Sequence, residues 1–422
     1  MPSLGFFRTF DGHNFRMSAS PECPVVEPAK VVIKPRMALP FFSRHPWVFP
    51  KPIAKIAGDP QPGDEVELVT QDGQFIARGL FNPHSMIRVR LYSWQAEQPL
   101  DEAFWASRLA DAISLRKRLY GEFTPENACR LVASEGDQLS GLTVDRYGEF
   151  LLVQITSRAL AERKDLLIRE LVSQVSPRGI WLRTEKGMRE AEQLELADGL
   201  LWGEAPPRPF FLEENGVRFG VDVSEGQKTG FFLDQRENRL TVRNLAAGRR
   251  VLDVCCYSGG FALNAAIGGA SNVLGVDVSE SALELAASNA LLNGVGERTR
   301  WRKGDAFKTL EALQAEGEKF DLVVLDPPKL TRHRAGLDAA LRGYFSLNRL
   351  ALEVLNPGGI LVTCSCSGLV THEMFSDVLS KVAQQANRHI EILEARGPAA
   401  DHPRSVHCEE GNYLKCYVCR VV

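Results

Sequence analysis

The sequence predicts an α/β protein in three parts: an N-terminal β-barrel, a small central α+β unit and a C-terminal doubly wound, mainly parallel sheet. Three observations carry this. At 422 residues the chain exceeds one ordinary core. Between Val31 and Tyr92, short apolar runs (VVIKP, EVELV, FIARGLF, MIRVRLY) alternate with Gly, Pro and Asp turns, as in a small barrel. After Asn215, apolar strands (RRVLDVCC, SNVLGVDV, FDLVVLDPP, GGILVTCS) alternate with helical segments, the pattern of a parallel sheet.

Residues 1–28, rich in Ser and Pro, read as a disordered extension. They lack the continuous apolar core of a signal peptide. Their low acid content leaves a transit peptide as the other reading, and Met17 is an alternative initiator. The barrel is expected over 29–100. In 101–212, DEAFWASRLADAISLRKRL spaces apolar positions as one helix, and GEFLLVQIT and GIWLRT flank the helical ERKDLLIRELVSQV. VRFGVDV is hairpin-like and leads into the final domain, 213–422.

With 50 basic and 53 acidic residues the net charge is −3, so a polyanion has to be met by a local patch. Lys30–Arg90 is one candidate, with nine basic residues against five acidic. Nine cysteines, odd in number and irregularly spaced, read as reduced thiols of a cytoplasmic protein. The most apolar long window, Val251–Val276, is interrupted by Asp253, Asn264 and glycines, which excludes a membrane span there.

VLDVCCYSGGFALNAA is a strand, a small-residue turn and a helix, a geometry that brings backbone amides to a ligand. It lacks G-x-G-x-x-G, so a dinucleotide is not indicated. Four acids fall at successive strand ends: Asp253, Asp277, Asp305 and Asp326. Any one alone reads as a helix cap. Together they outline a nucleoside site, because open α/β sheets bind ligands at the carboxyl ends of their strands.

The fifth strand ends in Thr363-Cys364-Ser365-Cys366-Ser367-Gly368. Beside the fourth strand, that end opens onto the same crevice, close to Asp326 and Lys329. A thiol there is a candidate nucleophile, with Cys366 nearer the opening than Cys364. Read from the residues alone, both thiols also suit simple packing.

The acid register resembles that of class I S-adenosylmethionine-dependent methyltransferases, whose catalytic fold is Rossmann-like. The resemblance implies Asp253 and the turn Cys255–Tyr257–Gly259 near the methionine part, Asp277 at the ribose, Asp305 at the adenine, and Asp326-Pro327-Pro328 beside the target base. From about residue 31 onward the chain also resembles the ribosomal RNA large subunit methyltransferase I family. SRHPWVF (43–49), EGQKTGFFLDQRENR (225–239), CCYSGGF (255–261), LDPPKL (325–330), SCSG (365–368), ADHP (400–403) and YLKCYVCRV (413–421) carry that likeness. It implies a PUA-like RNA-binding barrel, S-adenosylmethionine as cofactor, and formation of 5-methylcytosine in 23S rRNA with Cys366 as nucleophile. Phe232, Gln235 and Arg236 are placed to reach the cofactor.

Many RNA cytosine-C5 methyltransferases carry a second cysteine after D-x-P, where this chain has Lys329, so another group has to take the C5 proton. Asp401 or His402 is the expectation. The TRHRAG loop lies in a stretch, 329–349, with five basic residues and one acid. It is expected to meet phosphates. His407, Cys408, Cys416 and Cys419 are not expected to hold a metal, since a terminal strand would turn Cys416 and Cys419 to opposite sides. The expected partner is large-subunit rRNA, naked or in an early assembly particle. No membrane is involved, and a homodimer is compatible with the sequence. The other readings are an rRNA guanine-N7 methyltransferase and a non-catalytic RNA-binding assembly factor.

Overall fold

The computed structural model describes residues 28–184, 187–222 and 230–422. Nearly all of the N-terminal extension, and residues 225–229 of the EGQKTG string, lie outside these. The first sheet has six strands, Ala29–Ile33, Trp47–Val48, Ile53–Ala57, Glu65–Val69, Phe75–Phe81 and Val89–Ser93. They enclose Val31, Ile33, Val48, Val66, Leu68, Val89 and Leu91. Alternating burial along EVELV (Val66 and Leu68 in, Glu65 and Glu67 half-exposed) is what its period-two pattern requires.

The helix Glu102–Tyr120 follows. Asp101 caps it by accepting from the Phe104 N–H at 2.9 Å, and Gly121 at φ +78° stops it. Its buried Arg116 reaches beyond the helix, donating to both Asp137 oxygens at 2.6 and 2.8 Å and to the Asp401 carbonyl at 2.8 Å. A five-stranded central sheet then runs in the order Gly199–Gly203, Gly179–Leu182, Phe150–Ile155, Leu142–Tyr147, Ala128–Ala133. The lead-in hairpin is longer than VRFGVDV suggests. It pairs Phe210–Glu214 with Val217–Val221 around Asn215-Gly216, at φ +52° and +74°, the two-residue turn this dipeptide favours.

The last sheet has seven strands: β1 (Arg250–Val254), β2 (Asn272–Asp277), β3 (Thr299–Lys303), β4 (Phe320–Leu325), β5 (Leu355–Ser365), β6 (Ile390–Arg396) and β7 (Lys415–Val421). Their spatial order is β3-β2-β1-β4-β5-β7-β6. Neighbours from β3 to β5 are parallel, and β7 runs antiparallel between β5 and β6. Both faces are covered. Val251, Val362 and Cys416 belong to one core, and Leu252, Leu361 and Cys419 to the other, as expected for a mainly parallel sheet flanked by helices. Cys416 and Cys419 therefore do lie on opposite faces. Among the described residues no helix is long and apolar enough to cross a membrane.

Candidate active site

The strand order reverses between β1 and β4, and a crevice of about 1530 Å³ opens there at the carboxyl ends of the strands. Its floor is the turn after β1. Cys255, Tyr257 and Gly259 take φ of +64°, +51° and +86°, a tight winding that aims helix α1 (Gly260–Ile267) at the opening. Gly259 is required twice over, by its φ and because a Cβ there would sit 2.9 Å from the Trp301 ring.

Two acids hold this turn. Asp253 is fully buried behind it, with Oδ2 accepting from the Ala262 N–H at 2.9 Å and Oδ1 without a partner among the described residues. Burial, with Asp326 and Asp277 nearby, pushes its carboxyl up to about 8. Asp253 thus supports the cradle and is not itself exposed in the crevice. Asp277 does line it. Its carboxylate accepts from the Tyr257 N–H and the Ser279 N–H, both at 2.9 Å, and keeps lone pairs for ligand hydroxyls. Asp305 also lines it while capping the next helix through the Phe307 and Lys308 N–H groups at 3.1 Å.

Phe232, Gln235, Cys255 and Tyr257 face the crevice. Phe232 packs edge-on to Tyr257 with ring centroids 5.5 Å apart, and its carbonyl accepts from Arg239 Nη1 at 2.9 Å. Arg239 is buried and pairs with both oxygens of buried Glu214 at 2.7 Å. Burial pushes the Cys255 thiol up.

On the β4–β5 side, Asp326, Pro327, Pro328 and Lys329 line the opening, and Cys366 lines it with them. Cys366 Sγ lies 3.7 Å from the Pro327 carbonyl oxygen. Cys364 is fully buried in the core, paired in register with Cys416, whose hydrogen bond pushes the Cys364 thiol well up along with burial. Two positions along the chain thus separate a packing cysteine from one that meets the crevice.

Three expected site residues lie elsewhere. Arg236 is turned away from the crevice, 4.4 Å over the Tyr120 ring and 3.6 and 3.7 Å from Glu214 and Asp401. Asp401 is completely buried, accepting from the Arg130 N–H at 2.9 Å and contacting His402 Nδ1 at 2.8 Å. His402 is buried beside it. Neither residue lines the crevice, because ADHP is packed against the central unit. A Cβ on Gly136 would come within 2.0 Å of the Pro403 oxygen. Despite its burial, which works the other way, His402 and Arg236 hold the Asp401 carboxyl down at about 2.

The crevice also contains residues that sequence reasoning missed. Asp234 and Tyr413 meet across it, the Tyr413 hydroxyl donating to Oδ2 at 2.6 Å. Arg183 and Arg189 of the central unit also line it. Asp234 lies inside the LDQREN string and Tyr413 inside YLKCYVCRV, so the strings were visible although these members were not singled out. Lys329 and Arg332 line the crevice and are exposed.

Away from the crevice, His45, Cys408 and Glu410 cluster, with His45 Nε2 and Cys408 Sγ each 3.4 Å from Glu410 Oε2. The Trp47 N–H donates to His45 Nδ1 at 3.2 Å, which leaves the ring proton on Nε2, facing Glu410. A histidine that binds metal through Nε2 carries its proton on Nδ1, so the arrangement suits a hydrogen-bonded pair better than a metal.

Comparison with known proteins agrees with this geometry. Residues 134–403 match the S-adenosylmethionine-dependent methyltransferase family and residues 31–94 match the PUA-like domain. The chain is 44% identical over 381 residues to "Ribosomal RNA large subunit methyltransferase I" of Tolumonas auensis, covering 90% of this chain and 96% of the relative. It is 40% identical over 394 residues to the protein of the same name from Shewanella denitrificans, covering 93% and 99%. The crystal structure of SMU.776 complexed with SAH superposes with a TM-score of 0.81 at 21% identity, over 93% of this chain and 99% of that one, which shows the shared fold. The unpartnered Asp253 oxygen, the glycine turn and the acids at the strand ends fit S-adenosylmethionine, the cofactor of this group. The chain belongs to the ribosomal RNA large subunit methyltransferase I family of S-adenosylmethionine-dependent methyltransferases.

Proposed function

We propose that the protein methylates C5 of a cytosine in large-subunit (23S) ribosomal RNA through a covalent bond between Cys366 and C6 of the base. The observation that carries this reading is the position of Cys366, which lines the same crevice as Asp277, Asp305 and Asp326. The name of the relatives supplies the RNA class, and the PUA-like match and the basic rim suit a phosphate backbone.

When bound, S-adenosylmethionine supplies an electrophilic methyl group on a sulfonium. Asp277 holds the ribose and Asp305 faces the adenine. The base is flipped into the crevice, where Asp326 engages its exocyclic amine or N3 edge. The Cys366 thiolate adds to C6, and the C5=C6 electron pair becomes the nucleophile that takes the methyl group, leaving S-adenosylhomocysteine. The C5 proton is then lost, ultimately to solvent. Its electron pair restores C5=C6, the C6–S bond breaks and the thiolate is regenerated. Lys329 and Arg332, at the rim, hold flanking phosphates.

Trapping with 5-fluorocytosine RNA tests this directly, because fluorine at C5 cannot leave as a proton does. The enzyme forms an adduct stable to denaturing electrophoresis, and Cys366→Ser forms none. A wild-type protein that methylates rRNA without a trappable adduct would return the reading to guanine N7. One that binds RNA but transfers no methyl group would be an assembly factor.

A further inference from the structure

We propose that the side-chain amide of Gln235 donates a hydrogen bond to a ring acceptor of the target cytosine, O2 or N3, with Asn238 and Arg396 as positioning residues that fix which end of the amide faces the crevice. This rests on the reading of a flipped cytosine attacked by Cys366 made above.

A side-chain amide has a donor end and an acceptor end, and the end that meets a ligand is settled by what holds the other. Here the order is forced from Arg396, whose guanidinium can only donate. Its Nε–H donates to Asn238 Oδ1 at 2.9 Å. The Asn238 NH2 in turn donates to the Gly397 carbonyl at 3.2 Å and to Gln235 Oε1 at 2.6 Å. The Gln235 oxygen is thereby taken, and its NH2 is the end left for the crevice that Gln235 lines. Gln235 precedes the helix Arg236–Leu245 and Asn238 lies in its first turn; both are buried. Reversing either amide would strand buried polar groups.

The placement favours the base over the cofactor. Phe232, at the start of the short turn Leu233–Gln235, packs on Tyr257 of the cofactor cradle. Gln235 ends that turn on the thiol side. Arg396 pairs in register with Cys416 on β7, and Cys416 with Cys364 on β5. The amide chain is therefore anchored level with Cys364, two residues short of Cys366. The Gln235 amide also donates toward the Cys364 sulfur, which opposes the rise of that thiol's pKa. Its charged neighbours in the helix region are engaged elsewhere, Asp234 with the Tyr413 hydroxyl and Arg239 with Glu214.

Cys366, Asp326 and Lys329 line the same crevice. An ionised Asp326 accepts only and suits the exocyclic amine of cytosine, whereas a neutral donor suits O2 or N3. Sulfur addition at C6 moves the C5=C6 pair onto C5, and from there it spreads through C4=N3 to N3 and O2. A donor at those atoms gains as the charge grows, so it speeds the addition as well as orienting the base.

Two variants of the full-length protein test this, read by the rate at which 5-fluorocytosine RNA is trapped at saturating S-adenosylmethionine. Gln235→Glu keeps an oxygen for Asn238 but has no NH2 to offer. Asn238→Asp lies outside the crevice lining; its carboxylate accepts from Arg396 and draws the Gln235 NH2 toward itself, turning Oε1 to the crevice. Each should slow trapping about 10- to 100-fold, the worth of one hydrogen bond to a group that gains charge. A wild-type rate in either folded variant overturns the proposal. So does a loss confined to S-adenosylmethionine affinity, measured by calorimetric titration, which would place Gln235 at the cofactor. If Gln235→Glu does not fold, Asn238→Asp decides alone. A wild-type protein that traps no RNA sinks the Cys366 reading and this one with it, whereas equal trapping by wild type and variants sinks this one alone.

Discussion

The Asp277 carboxylate accepts the Tyr257 N–H at 2.9 Å, so the acid at the end of β2 sets the winding of the turn after β1. One carboxylate thus shapes the cradle and lines the crevice. Asp277→Asn keeps the shape but loses charge and acceptor capacity, and should weaken S-adenosylmethionine binding about tenfold, or about 1.4 kcal/mol. Asp277→Ala also frees the turn and should weaken it further. Isothermal titration calorimetry checks both. Equal affinities for Asp277→Ala and wild type would remove Asp277 from the cofactor site.

Glu214 and Arg239 form a two-pronged, buried ion pair at 2.7 Å, and Arg239 also fixes the Phe232 carbonyl. Glu214→Ala strands a buried guanidinium, so a loss of about 3–5 kcal/mol is expected in urea unfolding. Because Phe232 packs on Tyr257, cofactor affinity should fall as well. A stability loss near zero would show that the pair is hydrated in solution.

Asp401 is held well below its ordinary value, down to about 2 from 3.8. A carboxyl depressed in the folded state contributes stability above its unfolded pKa, here above about pH 4, and loses that contribution as pH falls toward 2. Asp401→Asn should cost about 2 kcal/mol at pH 7, and its gap from wild type should narrow between about pH 5 and pH 3 in urea melts. The variant should still form the fluorocytosine adduct. Loss of turnover with single methyl transfer and adduct formation intact would give Asp401 a role in removing the C5 proton.

Gly259 has φ +86° and faces Trp301 with no room for a methyl group. Gly259→Ala should lose about 1–3 kcal/mol of stability and weaken cofactor binding by moving the turn. Gly294, also at positive φ (+68°), would direct a Cβ into open space, with nothing within 4 Å of it. Gly294→Ala should therefore lower Tm modestly and leave affinity alone. Equal affinities for the two variants would mean the turn tolerates displacement.

How much of this was legible in the sequence differs from residue to residue. Asp277, Asp305, Asp326 and Cys366 were readable because a parallel sheet brings the carboxyl ends of its strands to one edge. An acid or thiol just past an apolar run is thereby placed at the crevice by its position in the chain alone. The barrel and the helix after Asp101 were readable from their period-two and three-to-four spacings. Asp253 was placed at the correct strand end, but whether it faced the ligand or the back of the turn depended on α1.

The tertiary structure decided the residues whose partners are distant in the chain. Arg236 sits in a motif that looks cofactor-bound, yet Tyr120, Glu214 and Asp401 draw it into the seam between the central unit and the catalytic sheet. ADHP offered titratable groups in the expected place, but the Arg130 backbone N–H binds the Asp401 carboxylate and Arg116 its carbonyl, both from more than 270 residues upstream. Lys415 lies within YLKCYVCRV, but only β7, inserted between β5 and β6, brings its Nζ to the Ser367 carbonyl at 2.8 Å. Local spacing fixes where along an element a side chain falls. The charge that meets it across the fold is set by packing among segments that are far apart in sequence, and no local pattern encodes that.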